Sequence, residues 1–179
     1  AVNIGVGSFY RCYHDIEANG SFSNPEWVNI FTLVMDVKIS QLSQWYALYQ
    51  TNYPNINDGD AFINPSGNVG VLDTGYSLYS LVPDEWYRLV ISVNLGVHYD
   101  YYLDGQILHH GGSQGFDGRF SLYPADDANQ VLFFADEDGE DSALDVGMVA
   151  LFDRDLSAEE IESMGGFGHE FEPPPSPFM

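Results

Sequence analysis

The most informative segment for the fold is Ala135-Asp-Glu-Asp-Gly-Glu-Asp141, followed by Leu144-Asp-Val-Gly-Met-Val-Ala-Leu-Phe-Asp-Arg-Asp-Leu-Ser-Ala-Glu-Glu-Ile161. It joins a dense acidic loop to an apolar strand, and that strand to a short helix. Ser157 and Glu160 have the spacing of a capping box, in which each side chain bonds to the backbone amide of the other residue. Gly165-Gly166 predicts the helix end, because glycine tolerates the left-handed conformation found there.

Outward from this stretch, the chain alternates apolar and polar residues over short segments, as β-strands do. Strands are predicted over residues 31–39, 45–51, 61–63, 86–95, 101–103, 106–108, 131–134 and 146–152. Asp104-Gly105 between two of these segments indicates a tight hairpin turn. Many short strands and one C-terminal helix predict an all-β sandwich or barrel.

The charge of the chain restricts its partners. Lys and Arg total 5 against 27 Asp and Glu, which gives a formal net charge of −22. Such a field repels phosphate backbones and anionic lipid, so we expect no nucleic-acid partner. It favours cations, neutral sugars or basic proteins. Solubility in saline surroundings is an alternative cause of the same acidity.

The sequence also indicates how the chain is organised. It contains no run of about 18 apolar residues, so membrane insertion is not expected. Cys12 is the only cysteine, which excludes an intrachain disulfide. The chain opens at Ala1 without a leader, and Pro173-Pro-Pro-Ser-Pro177 is typical of a stiff linker. We therefore expect one domain over residues 1–168, a linker or tail over 169–179, and further domains of the same parent chain.

A resemblance to a known family is carried by an ordered set of segments. These segments are residues 45–64, Glu85-Trp-Tyr-Arg-Leu-Val-Ile-Ser-Val93, Tyr101-Tyr-Leu-Asp-Gly-Gln106, and 149–161. Together they resemble the laminin-G-like and pentraxin-like branch of the concanavalin A-like lectin/glucanase superfamily, over roughly residues 30–166. The resemblance implies an antiparallel β-sandwich of the jelly-roll type. It also implies an N-terminal strand that pairs beside the C-terminal one.

Two acidic loops are candidates for a calcium site, since calcium takes about six to eight oxygen ligands from flexible loops. They are Asn55-Ile-Asn-Asp-Gly-Asp60 and Asp136-Glu-Asp-Gly-Glu-Asp141. The resemblance implies that the loops meet at one edge of the sandwich and share calcium. The ligands that it implies are Asn57, Asp58 and Asp60 opposite Asp136, Asp138 and Glu140. Crowded carboxylates raise one another's pKa unless a cation neutralises them. The alternative is a solvated acidic rim without an ion.

Aromatic side chains are candidates for sugar binding, because their rings pack on the apolar faces of sugars. Tyr53 and Tyr76 are predicted to bind ligand, since each lies near a turn-rich segment beside a candidate calcium loop. The alternative is that they pack within the sandwich, where aromatic residues are favoured anyway.

The sequence contains no recognisable catalytic motif. No strand shows the alternating Glu, Asp and Glu of the superfamily's retaining glycosidases, and no nucleophile elbow is present. We therefore expect no enzymatic activity. The prediction is a calcium-binding recognition module of a secreted or cell-surface, bacterial multidomain protein that binds a glycan or glycoprotein. The alternative is a structural or protein–protein adhesion module in which calcium, if bound, only stabilises loops.

Overall fold

The computed structural model describes residues 1–20, 24–112, 119–125 and 127–170. These residues form a β-sandwich with one short C-terminal helix, as the sequence predicts. The elements are β1 (Val2–Ile4), β2 (Tyr10–Tyr13), β3 (Ile30–Ile39), β4 (Tyr46–Gln50), β5 (Ala61–Ile63), β6 (Asn68–Val71), β7 (Gly75–Ser80), β8 (Tyr87–Asn94), β9 (His98–Leu103), β10 (Gln106–Gly111), β11 (Gln130–Phe133), β12 (Leu144–Phe152) and α1 (Ala158–Met164). Of the linker or tail predicted over residues 169–179, residues 171–179 lie outside the described residues.

The strands form two six-stranded antiparallel sheets. The order in one sheet is β1-β12-β3-β8-β9-β10, and in the other it is β2-β11-β4-β5-β6-β7. The N-terminal strand β1 pairs with β12, as the resemblance implies, with Val2 opposite Val146. The Asp104-Gly105 turn joins β9 to β10, and both residues have a positive φ. The predicted hairpin is therefore confirmed.

The core between the sheets is built by the alternation that predicted the strands. Leu33 of β3 lies opposite Ile91 of β8, and both side chains are fully buried. Burying a side chain of this size contributes about 1.5–3 kcal/mol relative to leaving it in water. The other sheet supplies fully buried rings such as Tyr49 and Phe133.

The outer face of β3 and β8 is covered by α1 rather than exposed. Val34 and Val90 pack there against Ile161 and Met164 of the helix. The capping box predicted at Ser157 and Glu160 is present, and Gly165 follows the last helical turn. Within the described residues, no helix has the length and apolar composition needed to span a membrane.

A buried ion pair joins the helix to the sheet. Arg88 Nε and Nη2 donate to the two carboxylate oxygens of Asp36 at 2.7 and 2.9 Å. Arg88 Nη1 donates to the Met164 carbonyl at 2.8 Å, at the end of α1. Both charged side chains are buried, so each depends on the other for its polar partners.

Candidate functional site

The acidic loop at residues 135–139 interrupts the pairing of β11 with β4. The Phe134 amide donates to the Leu48 carbonyl at 3.1 Å, and the Ala47 amide donates to the Glu140 carbonyl at 2.9 Å. Neighbouring residues of β4 thus pair with residues on either side of the loop, and the intervening residues project from the sheet. Phe134 has a φ of 65°, which turns the chain out of the strand.

The loop between β4 and β5 bends onto this projection. The Gly59 amide donates to Asp136 Oδ1 at 3.1 Å, and Asn55 Nδ2 donates to the Asp136 carbonyl at 3.3 Å. Asp136 Oδ2 also accepts from the amides of Asp138 and Glu140 at 3.3 and 3.1 Å. The buried Asp136 side chain therefore joins the two acidic loops, which meet as the resemblance implies.

The carboxylates at this junction form two overlapping groups. Oxygens of Asp136, Asp138 and Glu140 lie within 4.8 Å of one another, and so do oxygens of Asp58, Glu137 and Asp138. The structure thus brings together four of the predicted metal ligands and adds Glu137. We call these five residues the carboxylate cluster.

Burial and crowding raise the pKa of three residues of the carboxylate cluster, Glu137, Asp138 and Glu140. Burial, followed by the charges of Asp136 and Asp138, raises the pKa of Glu140 to about 7. A hydrogen bond to Asp136 and the Asp136 charge raise the pKa of Asp138. Burial and the Asp136 charge raise the pKa of Glu137. At neutral pH the cluster thus holds more negative charge than its surroundings stabilise.

The donor set fits a calcium ion. All the grouped side-chain donors are oxygens, which are the ligands that calcium prefers. Asn55 Oδ1 is a buried oxygen without a hydrogen-bond partner among the described residues, and its own Nδ2 holds it beside Asp136. Buried polar atoms nearly always have a partner, so this amide oxygen is a further candidate ligand.

Two of the predicted metal ligands, Asp60 and Asn57, lie outside the carboxylate cluster. Asp60 Oδ2 accepts from the Thr51 amide at 2.6 Å, and its Oδ1 lies 3.4 Å from Arg119 Nε. Burial raises the pKa of Asp60 to about 6, opposed by the bonds from Thr51 and by Arg119. Asp60 therefore belongs to neither carboxylate group. Asn57 is exposed, and its backbone carbonyl accepts from Gln50.

A cleft of about 540 Å³ opens beside the carboxylate cluster. We call it the loop cleft. It is lined by Trp27, Thr51, Asn52, Ile56, Asn57, Asp58, Asp60, Arg119, Ser121, Tyr123 and Glu137. Asp58 and Glu137 belong both to this lining and to the carboxylate cluster, so the two features are continuous.

Aromatic side chains form one side of the loop cleft. Trp27 and Tyr123 lie with ring centroids 6.1 Å apart. They meet because the backbones of Val28 and Leu122 exchange two hydrogen bonds of 3.0 Å. The cleft also contains Arg119, whose Nη1 lies 2.6 Å from Asp73 Oδ2. The loop cleft therefore combines apolar ring surface with acceptors and one cation.

The two tyrosines predicted to bind ligand do not line the loop cleft. Tyr53 is half-buried, and its ring packs edge-on against Tyr123 at 5.5 Å. Tyr76 is half-buried against Trp45 at 6.3 Å. Burial and the charge of Glu140 raise the pKa of Tyr76. Tyr53 thus supports a ring of the cleft, and Tyr76 lies near the carboxylate cluster.

Comparison with known proteins shows the fold. No family model and no curated protein sequence matches the chain. Among solved structures, it is similar to Trypanosoma rangeli sialidase in complex with the inhibitor DANA, with a TM-score of 0.63, 18% identity, and 90% of this chain matching 26% of that one. It is also similar to the botulinum neurotoxin serotype D binding domain, with a TM-score of 0.60, 16% identity, and 90% of this chain matching 41% of that one.

These likenesses show a jelly-roll-like β-sandwich, and the narrower laminin-G-like and pentraxin-like assignment stays a prediction. The exclusion of enzymes was wrong, because the similar structures include sialidases, which the sequence argument did not consider. The chain spans about a quarter of the sialidase length, since 26% is matched. At this identity the match assigns no activity to the chain.

Proposed function

We propose that this chain recognises a glycan in the loop cleft with the help of calcium bound at the carboxylate cluster. The observation that carries the proposal is the continuity of the two features, because Asp58 and Glu137 line the cleft and also belong to the cluster. An ion held there would lie beside any ligand that entered the cleft. The same carboxylates would then serve both loop order and ligand contact.

The residues that would hold calcium are those of the carboxylate cluster, together with the amide oxygen of Asn55. A bound calcium supplies positive charge and coordination positions for hydroxyl oxygens. The chain's part is to fix its ligands. Asp136 does so by accepting three backbone hydrogen bonds, from Gly59, Asp138 and Glu140.

The loop cleft has the chemistry that sugars need. Rings such as Trp27 and Tyr123 can pack against the apolar face of a pyranose. Carboxylates and amides nearby can accept from its hydroxyl groups, and Arg119 can donate. Among the described residues of the lining, Arg119 is the only cation, against three acidic residues. A calcium ion held by Asp58 and Glu137 would offset two of these negative charges, so the charge balance does not separate neutral from acidic glycans.

The similar structures support this class of ligand without fixing it. One is a sialidase in complex with sialic acid, and others are the receptor binding domain of botulinum neurotoxin mosaic serotype C/D and the botulinum neurotoxin serotype D binding domain. We further propose that the chain is a module of a secreted or cell-surface multidomain protein, since it matches only 26% and 41% of the longer similar structures.

The test is binding to an array of neutral and acidic glycans, in millimolar calcium and in chelator. We expect calcium-dependent binding of a glycan that is lost in a Trp27→Ala/Tyr123→Ala variant. Tyr79→Ala is the matched control, since this half-exposed ring lies on β7 and outside the cleft lining. Binding that survives the double variant would refute the loop cleft as the site.

A second function is favoured if the site binds calcium without any glycan. In that case calcium would stabilise the loops of a protein–protein adhesion module. The observation that favours it is the hydrogen bonding of Asp136, which already joins both loops. Calcium-dependent melting combined with an empty array would support this alternative.

A further inference from the structure

A second cavity lies at the open edge of the sandwich, on elements that the loop cleft does not use. Its volume is about 750 Å³, and we call it the edge groove. One wall is formed by Cys12–Asn19 and the other by Val149–Asp153, with Phe133 between them. None of these residues lines the loop cleft or belongs to the carboxylate cluster.

The edge groove runs along strand edges rather than strand faces. Consecutive residues of a strand point to opposite faces, so a cavity lined by Val149, Ala150, Leu151 and Phe152 in sequence must follow the edge of β12. β2 is likewise the outermost strand of its sheet. The groove therefore lies between the outer edges of two strands, one from each sheet.

The edge of β12 is only partly covered. β1 pairs with Leu144, Asp145 and Val146, and its pairing ends there. Met148–Leu151 pair with β3 on the other side. Among the residues that the structure describes, no strand pairs with Met148–Leu151 on the groove side. Such an edge presents backbone donors and acceptors that can template an added strand.

The charges and the floor of the groove indicate what would enter it. Asp15, Glu17 and Asp153 are exposed in the lining, and the described residues of the lining include no Lys or Arg. Ile16 and Leu151 pack against the core from the groove side. The groove is thus apolar inside and negatively charged at its rim.

We propose that the edge groove binds an extended, basic segment of a partner polypeptide, which adds as a strand to the free edge of β12. The apolar side chains of the segment face the floor, and its Lys or Arg side chains meet the acidic rim. The chain's own tail is a poor occupant. Residues 173–177 contain four prolines, which lack the amide donor of a strand, and no basic residue.

The first test uses a fluorescent peptide of alternating Lys and Val, roughly eight residues long, which is enough to form a strand. Binding to the full chain is followed by anisotropy at physiological salt, where distant surface charges are screened. The control peptide has the same side chains but methylated backbone nitrogens on the strand edge. We expect at least tenfold weaker binding of the control. Equal binding would refute strand addition.

Matched variants separate the groove from the general acidity of the chain. Asp15→Asn/Glu17→Gln/Asp153→Asn should weaken peptide binding about tenfold. Glu85→Gln/Glu162→Gln/Glu170→Gln removes the same charge from exposed positions elsewhere and should change binding less than twofold. Equal effects of the two triple variants would overturn the proposal.

Hydrogen exchange locates the peptide directly. Bound peptide should slow exchange of amides within Met148–Leu151, because strand addition engages that edge. Protection confined to the acidic loops would overturn the assignment. Removal of residues 171–179 should leave the affinity unchanged, and a clear gain in affinity would show that the tail, and not a partner, occupies the groove.

Discussion

The Gly59 amide donates to the Asp136 carboxylate at 3.1 Å, across a separation of 77 residues in sequence. This bond joins the loop that follows β4 to the loop that follows β11. It brings Asp58 to the carboxylates of the second loop. The geometry of the site thus depends on a few polar contacts, which a cation would reinforce.

Calcium should raise the stability of the chain. One ion at about 100 times its dissociation constant adds about 2.7 kcal/mol, which shifts the melting temperature of a domain this size by roughly 2–4 °C per kcal/mol. Thermal melts of chelator-treated protein, with and without millimolar calcium, measure this shift.

The control for that melt is a pair of variants with equal charge change. Asp58→Asn/Asp138→Asn alters exposed members of the carboxylate cluster and should abolish the calcium shift. Asp15→Asn/Glu17→Gln should preserve it. A calcium response that is the same in both variants would place the ion elsewhere.

The pH dependence of stability should report Glu140 of the carboxylate cluster and Asp60, which lies outside it. The folded pKa is about 7 for Glu140 and about 6 for Asp60, above the ordinary value of about 4 for such carboxyls. A raised pKa contributes stability that is fully present below the unfolded value and is lost as pH rises through the folded value. Without calcium, the melting temperature should therefore fall between about pH 4.5 and pH 7.

Two comparisons sharpen this expectation. Saturating calcium should flatten the fall, because it stabilises the ionised carboxylates, and Glu140→Gln should reduce it. His14 has the opposite effect on stability, because burial lowers its pKa. It is a single group, so the carboxyl groups with raised pKa should dominate the pH dependence. A calcium-free melting temperature that rises steadily over this interval would contradict the crowding of the cluster.

Breaking the buried ion pair should destabilise the sandwich strongly. Arg88→Met leaves Asp36 buried without its cation, and such losses amount to about 3–5 kcal/mol. Urea denaturation measures the effect. The double variant Asp36→Leu/Arg88→Met should recover most of the loss, because it removes both charges. No recovery would show that the bond from Arg88 to Met164 is the essential part.

The helix cap should contribute a smaller amount. Ser157→Ala removes the hydroxyl that accepts from the Glu160 amide at 3.2 Å and should lower stability by about 1 kcal/mol. Ser163→Ala is the matched control, because its hydroxyl only donates to the Glu160 carbonyl within the helix. Similar losses for both variants, measured by urea denaturation, would argue against the capping role.

Local patterns in the sequence were enough to predict much of the fold. β3 and β8 alternate over many residues, and the Asp104-Gly105 turn has its own signature. β2, β6 and β7 were not predicted, and β1 was implied only by the resemblance. β2, β6 and β7 have 4, 4 and 6 residues and show little alternation, and Gly70 interrupts β6.

The site was predictable where its residues are dense in sequence. The two acidic loops were found because each carries several carboxylates. Trp27 and Tyr123 were missed, since only the long-range pairing of Val28 with Leu122 places them together. The surroundings of Asp60 depend on Arg119, which lies 59 positions further along the chain (60 to 119). No local sequence pattern predicts that Arg119 lies beside Asp60.

Because the acidic loop only interrupts the pairing of β4 with β11, its sequence can be exchanged without changing that pairing. Leu48 bonds to Phe134 before the loop, and Ala47 bonds to Glu140 after it. The pairing of the sheet therefore resumes directly after the loop and does not depend on the loop length. Residues 136–139 could therefore be exchanged for other sequences in a library, with the sandwich as a constant frame. A scaffold of this kind lends itself to selecting new metal or ligand preferences by changing one loop.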